Sequence, residues 1–299
     1  MNKNGFVLLL TLSFIILITS IVLNFHNFSS IQIENLKKTM EEIQAEYLAE
    51  TGIYIGKRII QKSYLLKDEW REGKDFIING NRISIKIEDE DGKIYLNGIM
   101  GKRGWVNPKL LKLLKNLFTQ LGISDNLVDC LLDWMDEDEI ERVFGAETLY
   151  YHTLSPPYHS PNRPLFTLDE LYFIKGFTPQ ILKGDEETPG LLNFVTLYSN
   201  GKININTASP FILKAMGFNE NEVAQIINIR KKRPLSGGVL YRINRNVYLN
   251  NRSLITYMSN YFCVISEGIT ESGIRKRVKA YFKKDYAKKK VNLIRVFYE

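Results

Sequence analysis

The sequence contains little that would build a disulfide scaffold or a transition-metal centre. Its 299 residues include two cysteines and three histidines, which excludes a disulfide-rich scaffold and a four-cysteine zinc site and argues against a histidine-rich metal centre. Cys130 falls on the apolar side of a predicted helix and Cys263 in a predicted strand, so we expect buried free thiols. His152 and His159 lie in a loop rich in Tyr and Pro, where we expect packing or hydrogen bonding rather than metal binding.

Helix-breaking residues are also missing from positions 6–51. No proline precedes Pro108, and no glycine lies between Gly5 and Gly52, so one long helix of about 46 residues is predicted there. Residues 6–25 carry no charge and match one bilayer crossing. Because Lys3 precedes this run, the positive-inside rule places the N-terminus in the cytoplasm and the rest outside. A cleaved signal peptide fits less well, since the apolar run is long and lacks a small-residue cleavage site.

The remainder of the chain predicts strands on either side of a helical block. Residues 82–99 alternate apolar and polar side chains around an acidic turn, which predicts a β-hairpin. Residues 261–269 and 273–283 alternate in the same way and predict two further strands. The ten Lys and Arg residues of 267–299 are typical of a solvated strand edge and a basic tail.

Between these strands, residues 105–230 have a helical pattern with a loose internal repeat. Three glycines suit the left-handed position that ends a helix, and a capping residue follows each after one intervening residue. The glycines are Gly122, Gly176 and Gly217, and the capping residues are Ser124, Thr178 and Asn219. Strands before and after a helical block predict an α+β fold with a large inserted all-α domain.

Residues 133–147 are strongly acidic, with seven Asp and Glu residues and one arginine. Clustered carboxylates repel one another unless a cation compensates them. Hard oxygen ligands without nearby cysteine favour Ca²⁺ over zinc. The sequence therefore predicts a calcium site, and the best candidate ligands are Asp133, Asp136, Asp138 and Glu147. A solvated acidic loop without metal is the alternative.

Catalysis is not expected. The sequence contains no nucleophile motif, phosphate-binding loop or dinucleotide fingerprint. Contiguous acids on one loop do not provide the two separated carboxylates that glycoside hydrolysis requires. We therefore predict that the protein is not an enzyme.

Several motifs give the chain a resemblance to a known family. A short basic leader, then Gly5-Phe6 and an uncharged apolar helix, resembles the type IV pilin-like signature, and the segment at 45–53 resembles the helix-to-domain junction of the same proteins. Most pilins have Glu at the fifth mature position, where this chain has Leu10. Within that family the missing glutamate points to the K-type minor pseudopilins of type II secretion systems. Further motifs support it: LLDWMDED (131–138), FGAETLYY (144–151), PPYHSPNRPLFTLDEL (156–171) and GKININTAS (201–209).

The resemblance implies an organisation, a location and a set of partners. It implies a leader (1–5), a transmembrane helix (6–25), a pilin-like helix with first strands (26–100), a helical insert (101–258) and C-terminal strands with a basic tail (259–299). A prepilin peptidase would cut between Gly5 and Phe6 and methylate the new amine. The protein would be single-pass in the inner membrane, with its C-terminal domain periplasmic and calcium in its helical domain.

The resemblance also implies a role in filament assembly. The protein would join I-type and J-type minor pseudopilins at the pseudopilus tip, above the inner-membrane assembly platform, and initiate assembly for protein export.

A membrane-anchored DNA-uptake receptor is the alternative function. Residues 203–230 resemble the helix-hairpin-helix of such receptors, in which a Gly-apolar-Gly hairpin offers backbone N–H groups to a phosphate. Here Gly217-Phe218 is present but Asn219 replaces the second glycine. Glu220 and Glu222 oppose a phosphate electrostatically. We therefore expect a structural helical corner and no nucleic-acid partner.

Overall fold

One long N-terminal helix, as the sequence predicts, continues past Gly52 to Lys62. The computed structural model describes residues 3–62, 68–101 and 104–299, and helix α1 (Lys3–Lys62) contains 60 residues. A helix of that length spans about 90 Å. Gly52 and Gly56 both lie inside it. Residues 1 and 2 of the predicted leader fall outside the described residues.

A five-stranded antiparallel sheet packs on the C-terminal half of α1. Its order is β1–β2–β7–β8–β9, with β1 Lys74–Ile78, β2 Asn81–Asp89, β7 Tyr261–Ile269, β8 Arg275–Asp285 and β9 Lys290–Tyr298. A short helix, α2 (Asp68–Glu72), precedes the first strand. The two strands predicted within 261–283 are confirmed, and together with the other elements they give the predicted α+β fold. The last strand was missed, because part of the predicted basic tail pairs with β8.

The helix and the sheet approach closely because small residues line their contact. Ala45 and Ala49 on α1 are fully buried. A Cβ atom added to Gly268 of β7 would lie 2.0 Å from the carbonyl oxygen of Ala45. A Cβ atom added to Gly56 of α1 would lie 2.5 Å from a methyl carbon of Val264. Glycine is therefore required on both surfaces, which outweighs its low helix propensity inside α1.

The helical region lies between β2 and β7 in the sequence. Its helices are α3 Pro108–Gln120, α4 Leu127–Met135, α5 Thr148–His152, α6 Pro179–Lys183, α7 Pro210–Ala215, α8 Glu220–Lys232, α9 Gly237–Ile243 and α10 Arg245–Asn251. The region also contains two pairs of short parallel strands. The first pair is β3 Ile94–Tyr95 with β4 Val195–Thr196, and the second is β5 Ile203–Asn204 with β6 Ile255–Thr256. The region has its own hydrophobic core, extending from Ile94 to Ile255.

The predicted helix corners are confirmed, with one difference. Backbone φ angles are 67° at Gly122, 83° at Gly176 and 103° at Gly217. Thr178 and Asn219 cap the following helices through their side chains. In the first corner the capping position is Asn126, and Ser124 accepts a hydrogen bond from its backbone N–H at 3.3 Å.

The predicted hairpin over 82–99 is wrong. β2 pairs with β1 through a turn at Asn79-Gly80, whereas β3 pairs with β4 of the helical region. The reason is the acidic segment between β2 and β3, which forms a 3₁₀ turn at Glu90–Gly92 and is buried. A solvated hairpin turn would leave these carboxylates in water, but here they hold the two regions together.

The buried carboxylates lie where the chain crosses between the sheet and the helical region. Asp91 accepts hydrogen bonds from the backbone N–H of Asn260 at 2.7 Å, from that of Tyr261 at 3.1 Å and from Ser199 Oγ at 2.7 Å. Asp89 accepts from Ser259 Oγ. The chain passes between the two regions twice, near 89–91 and near 259–261, and the acidic turn bonds these two passages together. This fixes the orientation of the two regions.

Candidate metal centre

The acidic segment of the sequence folds around the end of α4. Asp133 lies in the last turn of α4 and Asp136 is the residue that caps its C-terminus. The chain then loops back, and Glu147 occupies the position before α5. A Cβ atom at Gly145 would lie 1.7 Å from Asp133 Oδ2, so glycine is required where the returning loop passes the carboxylate.

Three of the four candidate ligands are brought together. Asp133, Asp136 and Glu147 each offer an oxygen, and these atoms lie within 4.8 Å of one another. Their side chains are buried, with residue exposures of 0%, 2% and 4%. Asp138 is exposed and instead accepts a hydrogen bond from the backbone N–H of Ile140 at 2.8 Å. The structure therefore does not bring Asp138 into the cluster.

One arginine contacts two of the three carboxylates. Arg142 Nη1 contacts both Asp133 Oδ1 and Asp136 Oδ2, and the Arg142 backbone N–H donates to Asp133 Oδ2 at 3.1 Å. Ser160 Oγ donates to Glu147 Oε2 at 3.3 Å. Asp136 Oδ1 and Glu147 Oε1 are buried, and no described residue donates a hydrogen bond to either.

The carboxylates of the cluster outnumber the positive charges that contact them. Burial and the neighbouring carboxylates of Asp133, Asp136 and Glu139 raise the pKa of Glu147 to about 8. Burial also raises the pKa of Asp136, although Arg142 opposes this. Three carboxylates and one guanidinium leave room for a further cation, and two oxygens lack a partner among the described residues. The donor set consists of oxygens, which fits a hard cation such as Ca²⁺.

A second group of polar residues, which sequence analysis did not identify, supports the loop. Asn162 Nδ2 donates to Glu139 Oε1 at 2.9 Å and to the Asp138 carbonyl at 3.2 Å. Thr148 donates to the same glutamate through its backbone N–H at 3.3 Å. Ser160 and Asn162 lie within the conspicuous segment 156–171, but nothing in their spacing indicated contact with the acidic residues.

The histidines and cysteines behave as expected from the sequence. His152 Nε2 and His159 Nδ1 are 2.9 Å apart and form a hydrogen-bonded pair. Neither belongs to the carboxylate cluster. Cys130 and Cys263 are buried free thiols. Cys130 Sγ donates to the carbonyl oxygen of Phe144 at 3.1 Å, which connects α4 to the returning loop.

The segment that resembles a helix-hairpin-helix does not present a free helix N-terminus. Asn219 accepts from the backbone N–H of Glu222 at 3.0 Å, and Glu222 Oε2 accepts from that of Asn219 at 2.9 Å. Glu220 pairs with Lys214 at 2.7 Å. Protein groups thus occupy the backbone N–H groups of Asn219 and Glu222, and the structure does not support the DNA-receptor alternative.

The filament-related residues lie on an exposed apolar surface of α1. Within Gly5–Lys62, an 18-residue window has a mean hydropathy of 2.9, and 0% of it is buried. Phe6 is 53% exposed and Leu10 is 46% exposed. By length and composition this part of the helix can cross a membrane.

The known proteins that resemble this chain share one description, protein K of a type II secretion system. A family model described as type II secretion system (T2SS), protein K, matches residues 92–187. The type II secretion system protein K of Pseudomonas aeruginosa is 33% identical over 144 residues, which cover 46% of this chain and 41% of the relative. The match thus spans less than half of that relative. A putative type II secretion system protein K of Escherichia coli K12 is 23% identical over 90% of both chains.

The fold has a counterpart among solved structures. A chain in the crystal structure of the GspK–GspI–GspJ complex of the enterotoxigenic Escherichia coli type 2 secretion system superposes with a TM-score of 0.70. The superposition covers 89% of this chain and 99% of that one, at 17% identity. The family match, the relatives and the fold agree: this chain is similar to the type II secretion system protein K of other bacteria and shares its fold.

Proposed function

We propose that the protein is a structural component of a type II secretion pseudopilus, positioned at its tip and active in starting assembly. The observation that carries this proposal is the combination of an exposed apolar α1 with a large helical region inserted into a pilin-like sheet. The exposed apolar helix suits packing into a helical filament bundle. The large helical region would crowd any subunit stacked above.

Leu10 supports the tip position. In related filaments a glutamate at this position pairs with the N-terminal amine of the subunit above, in surroundings where an unpaired charge costs several kcal/mol. Leucine cannot form that pair, so this chain has no electrostatic reason to lie beneath another. Its own N-terminal amine at Phe6 can still receive a glutamate from the subunit below.

The partners follow from that position. The crystal structure with a similar fold contains GspI and GspJ beside GspK, and we propose I-type and J-type minor pseudopilins as the immediate partners of this chain. The same proposal includes processing between Gly5 and Phe6 by a prepilin peptidase, methylation of Phe6, and contact with the inner-membrane assembly platform. The soluble part would lie in the periplasm.

A calcium ion is part of the proposal. Asp133, Asp136 and Glu147 would hold it, because one oxygen of each converges with the others, and two oxygens of these carboxylates lack hydrogen-bond donors among the described residues. Bound Ca²⁺ supplies positive charge to a buried acidic site. Asp133 and Asp136 are anchored at the end of α4, while Glu147 comes from beyond the loop, so joint ligation would fasten the loop to the helix.

Site-specific cross-linking in assembled pseudopili tests the filament position. Photoreactive residues placed at Tyr47 and Tyr54, both exposed on α1, should cross-link to I-type and J-type subunits in a single set of products. Repeated cross-links along the filament shaft, or self-cross-links in a ladder, would contradict the tip position. Intact-mass measurement of the membrane-extracted protein tests processing, which predicts loss of five residues and gain of one methyl group.

Calcium binding is tested separately by metal analysis and by thermal unfolding of the purified protein. A ligand that binds only the folded state, present at a hundredfold excess over its dissociation constant, stabilises that state by about 2.7 kcal/mol. An unfolding temperature indifferent to chelator and to added Ca²⁺ would remove calcium from the proposal without affecting the filament role.

A further inference from the structure

The arginine in the acidic cluster occupies oxygens that a metal ion would also use. A single guanidinium nitrogen of Arg142 contacts one oxygen of Asp133 and one oxygen of Asp136. The Arg142 backbone adds a third hydrogen bond to Asp133. These are two of the three carboxylates proposed to hold calcium, so the same oxygens have two potential cationic partners.

We propose that Arg142 is a built-in competitor of the divalent ion, which leaves Asp133 and Asp136 when the ion binds. This inference rests on the proposed calcium site and adds the residue that sets its affinity. Arg142 would offset one of the negative charges of the three carboxylates, and calcium would offset two.

Charge repulsion opposes joint occupancy of the cluster by the arginine and a metal ion. Like charges a few ångströms apart repel one another at the effective dielectric constant of a protein surface, and a divalent ion is repelled about twice as strongly as a monovalent one. A guanidinium that remained on both carboxylates would therefore oppose the incoming ion. Departure of the guanidinium removes that repulsion and frees the oxygens.

The arginine satisfies the cluster incompletely. Its guanidinium contacts Asp133 and Asp136, whereas the nearest polar partner of Glu147 is Ser160. Asp136 Oδ1 and Glu147 Oε1 remain without a donor among the described residues. Calcium takes six to eight oxygens without a fixed direction, so it can use the oxygens that the planar guanidinium does not reach.

The Arg142 side chain is freer to move than the carboxylates that it contacts. Asp133 is fully buried on α4, but the Arg142 side chain is 29% exposed and belongs to a loop outside regular secondary structure. A long side chain at the surface can move into water at little cost. The carboxylates stay in place while the guanidinium leaves.

The test compares full-length wild type with Arg142→Gln, in detergent, by calorimetric Ca²⁺ titration and by thermal unfolding in chelator and in saturating Ca²⁺. Competition predicts that Arg142→Gln binds Ca²⁺ at least about tenfold more tightly. It also predicts a lower unfolding temperature than wild type in chelator and an equal one in Ca²⁺. Arg142→Lys, which keeps the charge, should bind Ca²⁺ within about threefold of wild type.

Arg163→Gln is the matched control, because Arg163 pairs with Glu170 at 3.2 Å outside the cluster and its side chain is 36% exposed. This variant should leave Ca²⁺ affinity unchanged. If Arg142→Gln is unfolded in chelator, recovery of its folded state on addition of Ca²⁺ supports competition, and failure to recover overturns it.

Two other outcomes overturn the inference in different ways. Weaker Ca²⁺ binding by Arg142→Gln, or equal destabilisation with and without Ca²⁺, would show that the arginine is a permanent partner, while the calcium site itself would stand. Absence of Ca²⁺ binding by both wild type and Arg142→Gln would overturn the site and the competition together.

Discussion

The sheet with its helix and the helical region are stabilised in different ways. In the former, Ile83, Ile85 and Ile87 of β2 and Val264 of β7 pack against α1, and glycines set the distance. In the latter, a larger apolar core adjoins buried carboxylates, as at Asp133. Shape governs the first region, so we expect it to tolerate changes of ion and pH. Charge compensation governs part of the second, so we expect it to respond to both.

The largest loss of stability is expected from a change in the close contact between α1 and the sheet. Gly268→Val should destabilise the protein by about 3 kcal/mol or more, because the new side chain would meet the backbone of α1 at Ala45. Thermal unfolding followed by circular dichroism measures this. Gly238→Ala is the control, since nothing lies within 4 Å of a Cβ there, and it should be neutral or stabilising. Equal behaviour of the two variants would disprove a close helix–sheet contact.

A somewhat smaller effect is expected at the junction of the two regions. Asp91→Ala leaves the backbone N–H groups of Asn260 and Tyr261 without their acceptor, which should cost about 2–3 kcal/mol. Denaturant unfolding measures this loss. Asp75→Ala, which removes a half-exposed partner of Arg82, should change stability by no more than about 1 kcal/mol. Two separate transitions in Asp91→Ala would show that this carboxylate couples the regions.

The pH dependence of stability separates the helical region from the sheet. The pKa of Glu147 is raised to about 8 in the folded protein, against about 4.3 in the unfolded chain. The folded state therefore holds this proton more tightly, and the stabilisation, complete below about pH 4, is lost as pH rises toward 8.

The measurement is the unfolding temperature between pH 7 and 8, a window above the pKa of about 6 to which burial raises Asp89. In chelator the wild type should become less stable as pH rises, and Glu147→Gln should lose less stability over the same range. Saturating Ca²⁺ should weaken the trend, because it favours the carboxylate. A wild type with no pH dependence in chelator would be inconsistent with a buried, uncompensated Glu147.

The smallest effect concerns the thiols, one in each region. Burial raises the pKa of both Cys130 and Cys263, so alkylation should be slow at each. Because Cys130 contacts the loop at Phe144, chelator should accelerate its alkylation, while Cys263 in β7 should be unaffected. Mass spectrometry of alkylated peptides distinguishes the two. Equal acceleration at both thiols would show that the regions open together.

Elements with a local signal could be predicted from the sequence. The apolar helix, the strands within 261–283 and the glycine corners each depend on neighbours a few residues away, and the structure confirms them. Helix propensity alone disfavours Gly52 and Gly56 inside α1, and only the close contact with the sheet explains why glycine is retained there. Likewise, the acidic turn after Asp89 looks solvated until its partners at 196–261 are known.

The candidate site shows the same division. Acidic composition was enough to predict a candidate cation site near α4, since clustered carboxylates that become buried require compensation. The path of the loop decided which of them are buried: it carries Glu147 back to Asp133 and Asp136 and leaves Asp138 exposed. It also brings in Ser160, which lies 13 residues beyond Glu147. Composition reports how much charge a segment carries, whereas only tertiary packing determines which charges lose their water and therefore need a partner.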